Sequence, residues 1–171
     1  MKNCVTLFLI MALSATLLCQ TKKTKKMEVK IRNVESFEII YYEFTGSYKD
    51  AFSEYEHLMN FVKENNVTMG PYYVGVYFDN PEEVPENELK SWPGHMVSGK
   101  FKENETYKYK KYKACKAVSV TYNTMEEIML AYAALGKYVQ ENNIDTEPYS
   151  IEVYKSEDPK NMDAEILMFI K

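Results

Sequence analysis

The segment Phe61-Val62-Lys63-Glu64-Asn65-Asn66 is followed 77 positions later by Tyr138-Val139-Gln140-Glu141-Asn142-Asn143. The two segments share their apolar positions and the acid and paired asparagines that end them. Self-similarity at one fixed offset indicates two copies of one supersecondary unit. We therefore predict an internal repeat, with repeat one over residues 27–101 and repeat two over residues 106–171. Other pairs at this offset are Tyr55 and Tyr132, Leu58 and Leu135, Pro71 and Pro148, Tyr72 and Tyr149, Val74 and Ile151, Val76 and Val153, and Tyr77 and Tyr154.

Each copy is predicted to run strand, strand, helix, strand, strand. The predicted helices carry apolar residues at helical spacing, and the predicted strands are rich in β-branched and aromatic residues. In repeat one the strands are expected at 27–32, 37–44, 72–78 and 91–100, and the helix at 48–65. In repeat two the strands are expected at 106–112, 115–121, 149–155 and 164–170, and the helix at 125–142.

This element order predicts an α+β fold. A strand-rich unit with a single helix cannot cover both faces of its own sheet. We therefore expect two tandem βαββ-type repeats that form one antiparallel sheet, with two helices packed on one face. The other face, or the seam between the two copies, would remain available for a ligand.

Charge and cysteine content exclude several classes of function. The chain has 171 residues and a net charge of −4, and residues 1–26 hold five lysines and no acid. The remainder is therefore more acidic than the whole, with 16 basic and 25 acidic groups. Such a body repels phosphate backbones, so we expect no nucleic-acid partner. Cys115 is the lone cysteine of the body, and no cysteine or histidine cluster predicts a metal site or a cofactor.

Residues 1–26 are predicted to be a targeting segment with a basic spacer. The apolar run 5–18 is short for a membrane span, which needs about 20 residues, and fits the core of a secretory signal. Cys19 ends this run and is followed by a polar, lysine-rich spacer, a layout that resembles a bacterial lipoprotein signal. Leu18 and Thr16 depart from that signal. We expect an exported protein of the cell envelope or the secreted fraction, with lipidation of Cys19 and an uncleaved anchor as alternatives.

The stretch from Val74 to Leu89, VGVYFDNPEEVPENEL, resembles the "GVYYDNP…P…L" signature of the gyrase-inhibitor-like (GyrI-like) family. That family includes the effector-binding domains of AraC-type and MerR-type multidrug regulators. Shorter resemblances lie at 44–48, 151–154 and 163–166, so the similarity extends over residues 27–171. The resemblance implies tandem βαββ-type units, a pocket at their pseudo-two-fold axis, and binding of amphipathic, often cationic, small molecules.

The two repeats differ at one informative position, because the offset pairs Gly75 with Glu152. Strand alternation predicts that Glu152 and Tyr154 share one face with Tyr73, Gly75 and Tyr77, and that Ile151 and Val153 face the helices. A carboxylate beside a gap and tyrosine rings suits a flat cation, since ring faces attract cations. The resemblance also implies an acidic contact at Glu165, and Trp92 is either an aromatic wall of the pocket or a cap on the core. The predicted ligand-binding residues are Tyr73, Gly75, Tyr77, Trp92, Glu152, Tyr154 and Glu165.

Three functions follow as hypotheses. The first is a noncatalytic binding protein for amphipathic, cationic aromatic small molecules, exported and with an optional membrane tether. The second is a metal-independent hydrolase of reactive small molecules, with Glu152 as general base and Tyr154 or Tyr77 as proton donor. The third is a protein-interaction module.

Overall fold

The computed structural model describes residues 26–99, 101–156 and 161–171. Most of the predicted targeting segment, including Cys19, lies outside the described residues. The described part contains nine strands and two α-helices. The helices are α1 Tyr55–Glu64 and α2 Ile128–Glu141. The strands are β1 Val29–Val34, β2 Phe37–Tyr41, β3 Phe44–Thr45, β4 Thr68–Tyr77, β5 Lys90–Ser98, β6 Lys108–Tyr112, β7 Cys115–Tyr122, β8 Ser150–Tyr154 and β9 Ala164–Phe169.

All the strands belong to one antiparallel sheet, which confirms the predicted fold class. Its order is β1-β7-β9-β8-β4-β5-β2-β6, with β3 added beside β5. This order is symmetric between the two repeats. Counted from opposite ends of the sheet, matching positions are held by the corresponding strands β1 and β6, β7 and β2, β9 and β5, and β8 and β4. The first strand of each repeat pairs with the second strand of the other, β1 with β7 and β6 with β2. The repeats are therefore interlocked at both ends of the sheet.

Strands β4 and β8 lie side by side at the centre of the sheet. Their register pairs Gly75 with Glu152, the same residues that the sequence offset of 77 relates. On either side, Val74 pairs with Val153 and Val76 pairs with Ile151. The pseudo-two-fold axis thus passes between Gly75 and Glu152.

The two helices cover opposite ends of one face of the sheet. Leu58 and Val62 of α1 are buried with residues of β2 and β5, including Ile40 and Val97. Ala131 and Leu135 of α2 are buried with residues of β7 and β9. Apolar pairs four residues apart lie on one side of a helix, so these pairs fix which side each helix presents to the sheet. The central strands β4 and β8 remain uncovered between the helices.

The other face of the sheet encloses a second apolar core without a helix. Ile151 and Val153 belong to this core together with Val74 and Val76. Aromatic rings from distant strands meet over it, and the Phe37 and Phe169 centroids are 6.5 Å apart. The prediction that Ile151 and Val153 face the helices is therefore wrong, because the curved sheet buries its more apolar face against itself.

Helix α1 begins later than the sequence predicted. The segment from 48 to 54 forms successive turns closed by bonds such as Asp50 N to Ser47 O, 2.9 Å, and Ser53 N to Asp50 O, 2.9 Å. The Tyr48 hydroxyl donates to the Asp79 carbonyl oxygen at 2.9 Å and ties this segment to the loop after β4. These contacts hold the chain in short turns, and regular helix starts only at Tyr55.

Candidate functional site

A cleft of about 1120 Å³ lies over β4 and β8, between the two helices. Its floor carries the side chains of Tyr77, Glu152 and Tyr154. One wall is a flank of α2, where Met129, Tyr132, Ala133 and Gly136 repeat at helical spacing beside the buried stripe of that helix. The opposite wall comes from the turns before α1 and includes the ring of Phe52. The seam between the repeats is therefore a cavity of ligand size.

The carboxylate of Glu152 lies at the bottom of this cleft and is only 2% exposed. Its Oε2 atom accepts hydrogen bonds from the hydroxyls of Tyr122, at 2.6 Å, and Tyr154, at 2.8 Å. Its Oε1 atom accepts a bond from the Tyr132 hydroxyl at 2.7 Å. Strands β7 and β8 and helix α2 thus each supply one phenol donor. Hydrogen bonds of this kind stabilise the ionised form of a carboxyl group.

Burial and those hydrogen bonds shift the pKa of Glu152 in opposite directions, and burial has the larger effect. Desolvation raises the pKa of the Glu152 carboxyl above its ordinary value of 4.5, although the three tyrosine donors lower it. Burial and the nearby Glu152 charge raise the pKa of Tyr132 and Tyr154 well above 10.0. The phenols therefore stay protonated as donors, and the carboxylate is a charge held at a free-energy cost.

Tyr77 extends the network to repeat one. Its hydroxyl lies 2.7 Å from that of Tyr154, and since Tyr154 donates to Glu152, Tyr77 donates to Tyr154. The ring of Tyr77 lies over Gly75, where an added Cβ atom would be 2.7 Å from the ring. The gap that the sequence predicted at Gly75 is therefore filled by Tyr77 in this structure.

The mouth of the cleft is apolar and acidic. Met125 and Met129 are about half exposed there, at 53% and 55%, and methionine side chains adapt to ligands of different shape. Charged residues near the rim are Lys49, Asp79, Glu82 and Glu147. With Glu152, acids outnumber the single lysine among the described lining residues, so the potential in the cleft favours cations.

Two predicted ligand contacts lie on the opposite face of the sheet. Glu165 pairs in register with Val153 of the helix-free core. Its carboxylate accepts hydrogen bonds from Nε and Nη2 of Arg32, at 2.7 and 2.8 Å. Trp92 stacks on Tyr41, with centroids 4.5 Å apart, and packs edge-on against Phe78. Neither residue lines the cleft, because each occupies the strand position that alternates away from it. Of the two alternatives predicted for Trp92, a wall of the pocket or a cap on the core, the structure shows the cap on the core.

The remaining predicted residues do come together. Tyr73, Tyr77, Glu152 and Tyr154 line the cleft, and Gly75 lies beneath the Tyr77 ring. The predicted sharing of one face by these residues is correct, but that face is the one that carries the helices. Their role as ligand contacts remains a prediction.

Sequence reasoning missed Tyr122 and Tyr132 as functional candidates. A signal existed for Tyr132, which matches Tyr55 at the repeat offset and adjoins the buried stripe of α2. Tyr122 is the last residue of β7, one position past the predicted end of that strand. Its approach to Glu152 depends on the order of β7, β9 and β8 in the sheet, which no local pattern reveals.

His95 lies beneath the repeat-one side of the cleft and is 4% exposed. Its ring stacks on Tyr73 with centroids 5.1 Å apart, and its Nδ1 atom bonds the Tyr72 carbonyl oxygen. A carbonyl only accepts, so the proton is on Nδ1. Burial lowers the pKa of His95 to about 4, which keeps the imidazole neutral near pH 7.

Metal-binding clusters and membrane-spanning helices are both absent from the described ranges. No three His, Cys, Asp or Glu side chains there converge as metal ligands. Neither of the described helices is long and apolar enough to cross a bilayer.

Comparison with known proteins places this geometry among small-molecule binding domains. A family model of the GyrI-like small molecule binding domain matches residues 27–171. No functionally curated protein matches the sequence.

Solved structures share the fold at low sequence identity. EcmrR, in its cryo-EM complex with DNA, is 18% identical with a TM-score of 0.69, and the match covers 85% of this chain but 57% of that one. A hydrolase from Listeria innocua is 10% identical with a TM-score of 0.59, and the match covers 87% and 94% of the two chains. SAV2435 bound to tetraphenylphosphonium is 12% identical with a TM-score of 0.51, covering 85% and 94%. At these identities the likeness extends to the fold alone.

Proposed function

Because the chain belongs to the family of GyrI-like small molecule binding domains, we propose that its central cleft binds an amphipathic aromatic cation. Glu152 supplies the counter-charge, and the rings of Tyr73 and Tyr154 supply apolar and cation–π contacts. Small molecules of this class are the proposed partners.

The observation that carries this proposal is a contrast between two buried glutamates. Glu165, 6% exposed, has its cation within the chain, since the Arg32 guanidinium meets it with two hydrogen bonds. Glu152 is buried more deeply, and its described hydrogen-bond partners are all neutral phenols. A buried charge without an opposite charge is costly, and a bound cation would offset that cost.

The environment of Glu152 also favours binding over hydrolysis. A general base needs a free oxygen lone pair directed at the reacting water. Three phenol hydroxyls already donate to the carboxylate of Glu152, and Tyr154, the proposed proton donor, is one of them. Those contacts stabilise a fixed charge, and they occupy most of the oxygen lone pairs that a general base would use to accept a proton. The fold shared with a hydrolase from Listeria innocua does not change this balance.

The test uses two ions of matched shape and opposite charge, tetraphenylphosphonium and tetraphenylborate. Calorimetric titration of the wild type should show binding of the cation and none of the anion. Glu152→Gln should weaken cation binding by about 10- to 100-fold, the loss of a charge-assisted contact worth about 1–3 kcal/mol. Glu165→Gln is the matched control, because it removes a buried carboxylate on the opposite face and should leave this affinity unchanged. Equal binding of both ions would refute the proposal.

We also propose export, on the sequence of residues 1–26 alone. A cleaved signal would give a mature protein that lacks the segment before about residue 20, because its apolar core is too short for a stable span. Mass spectrometry of the native protein measures this directly. A lipid mass on Cys19 would establish the tether, and an intact Met1 would refute cleavage.

A further inference from the structure

The ring of Tyr77 folds back along its own strand and rests on Gly75, two residues earlier. A Cβ atom at Gly75 would lie 2.7 Å from both Cε2 and the hydroxyl oxygen of Tyr77, and 2.8 Å from Cζ. Such contacts are impossible for any side chain unless the ring moves. The backbone of Gly75 is ordinary strand, paired on both sides, so the conformation itself does not demand glycine. Glycine at this position therefore leaves room for a ring.

The corresponding tyrosine of repeat two points in the same direction along its strand. Tyr154, the counterpart of Tyr77, also reaches back two residues on its strand, and its hydroxyl meets Glu152 at 2.8 Å. In repeat two the side chain at the earlier position is a carboxylate, whereas in repeat one it is absent. The Tyr77 ring thus lies in a narrow slot beside Glu152, with Gly75 as its floor and the Tyr154 hydroxyl at its end.

The contacts of the Tyr77 ring are those that a flat ligand would make. Tyr48 packs against it edge-on, with centroids 4.8 Å apart at 72°. The Tyr77 hydroxyl donates to Tyr154, whose own hydrogen is donated to Glu152. A planar aromatic ring with an N–H at its edge matches this slot in thickness, ring contacts and hydrogen bonding.

We propose that this slot is a planar-ring subsite of the cleft, and that Tyr77 is the residue that determines specificity by competing for it. This inference rests on the proposed cation-binding function and names a narrower ligand class, flat aromatic cations with an edge N–H. Such a ligand displaces the Tyr77 ring, takes over its contact with Tyr154, and brings its charge beside Glu152. The apparent affinity is then reduced by the fraction of molecules in which Tyr77 fills the slot.

The sign of one mutational effect distinguishes competition from a fixed aromatic wall. If Tyr77 competes, Tyr77→Ala opens the slot and strengthens binding of a flat cation. If Tyr77 is a wall that stacks on the ligand, the same substitution weakens binding. Tyr77→Phe keeps the ring but removes its bond to Tyr154, so under competition it should strengthen binding by a smaller factor.

The experiment titrates the fluorescent flat cation 9-aminoacridine against the wild type, Tyr77→Ala and Tyr77→Phe, with thermal melts to verify folding. Tyr77→Ala should gain about 10-fold in affinity, which is the factor expected if Tyr77 fills the slot about nine-tenths of the time. Adding Gly75→Ala to that variant places a methyl group on the slot floor and should abolish the gain. A weaker affinity in both Tyr77 variants, or a gain that survives Gly75→Ala, would overturn the inference.

Tetraphenylphosphonium separates this inference from the proposed function. If the wild type binds it in a Glu152-dependent manner while the Tyr77 variants lose affinity for 9-aminoacridine, the subsite is refuted and the function stands. If the wild type binds neither cation, both are refuted.

Discussion

The hydroxyl oxygens of Tyr77 and Tyr154 lie 2.7 Å apart, although 77 residues separate them in the chain. They are repeat counterparts on the two central strands, so the contact joins the halves at their pseudo-two-fold axis. Symmetry ends there, because Tyr154 continues to the carboxylate of Glu152 and Tyr77 lies over Gly75. The two repeats therefore contribute matching tyrosines to the site, but only repeat two contributes a carboxylate at the central position.

Tyr132→Phe should weaken cation binding without removing a charge. The Tyr132 hydroxyl donates to Glu152 Oε1 at 2.7 Å, and loss of a donor to an ionised group raises the pKa of that group. We expect affinity for tetraphenylphosphonium to fall about 10-fold, with a larger loss at lower pH, because the carboxyl of the variant loses its charge at a higher pH than that of the wild type. Tyr138→Phe on the same helix is the control, because Tyr138 packs against the apolar cluster beneath α2. Equal effects of the two substitutions would show that Tyr132 does not tune the carboxyl.

His95 should make the fold sensitive to mild acid. Its folded pKa of about 4 lies below the ordinary value of 6.5, so the unfolded chain binds the proton more readily. The stabilisation is present above about pH 6.5 and is lost as the pH falls towards about 4, on the order of 3 kcal/mol in all. His95→Asn keeps a donor near the Tyr72 carbonyl and cannot titrate. Urea unfolding between about pH 7 and pH 5 should show a smaller loss in the variant than in the wild type, and parallel losses would contradict this.

The Arg32–Glu165 pair should act on stability and not on binding. Arg32→Gln leaves a buried carboxylate without its guanidinium, which should lower the free energy of unfolding by about 2–4 kcal/mol. The double substitution with Glu165→Gln should recover part of that loss, since the unpaired charge is gone. Denaturant unfolding measures both, and affinity for tetraphenylphosphonium should stay at the wild-type value throughout. A loss of affinity in these variants would place the pair in the ligand site after all.

The fragment 27–102 should not fold cooperatively by itself. Its strand β1 pairs with β7 and its strand β2 with β6, and both partners belong to repeat two. Without them, sheet edges and the apolar core of the helix-free face are exposed. Thermal unfolding of the isolated fragment should give a broad transition or aggregation. A sharp transition would show that repeat one is self-sufficient.

The repeat offset predicted the centre of the fold well, because Gly75 and Glu152 are related by sequence and are also paired in the sheet. Alternation correctly placed Tyr73, Tyr77 and Tyr154 on one face. It could not decide which face carries the helices, because both sides of β8 are buried and Ile151 has an apolar environment without any helix.

Long-range partners were the other part that the sequence could not supply. The family resemblance implies a ligand contact at Glu165. In the structure, however, the strand order β1-β7-β9 places Arg32 Nε 2.7 Å from the Glu165 carboxylate. Tyr122 reaches Glu152 across an intervening strand, and the distance between them in sequence, 30 residues, carries no such information. Strand order determines these contacts, and strand order depends on the closure of the whole sheet.

The pH dependence of tetraphenylphosphonium affinity tests the central claim most directly, because this cation does not titrate. The Glu152 carboxyl, with its pKa raised above 4.5, loses its charge as the pH falls through that raised value. Wild-type affinity should therefore be highest where the carboxyl is ionised, and it should fall towards the affinity of Glu152→Gln as the pH drops through that raised pKa. Glu152→Gln should bind weakly and equally at every pH. A wild-type affinity that stays constant down to about pH 4.5, or a variant that retains the wild-type profile, would contradict the assignment of Glu152 as the counter-charge.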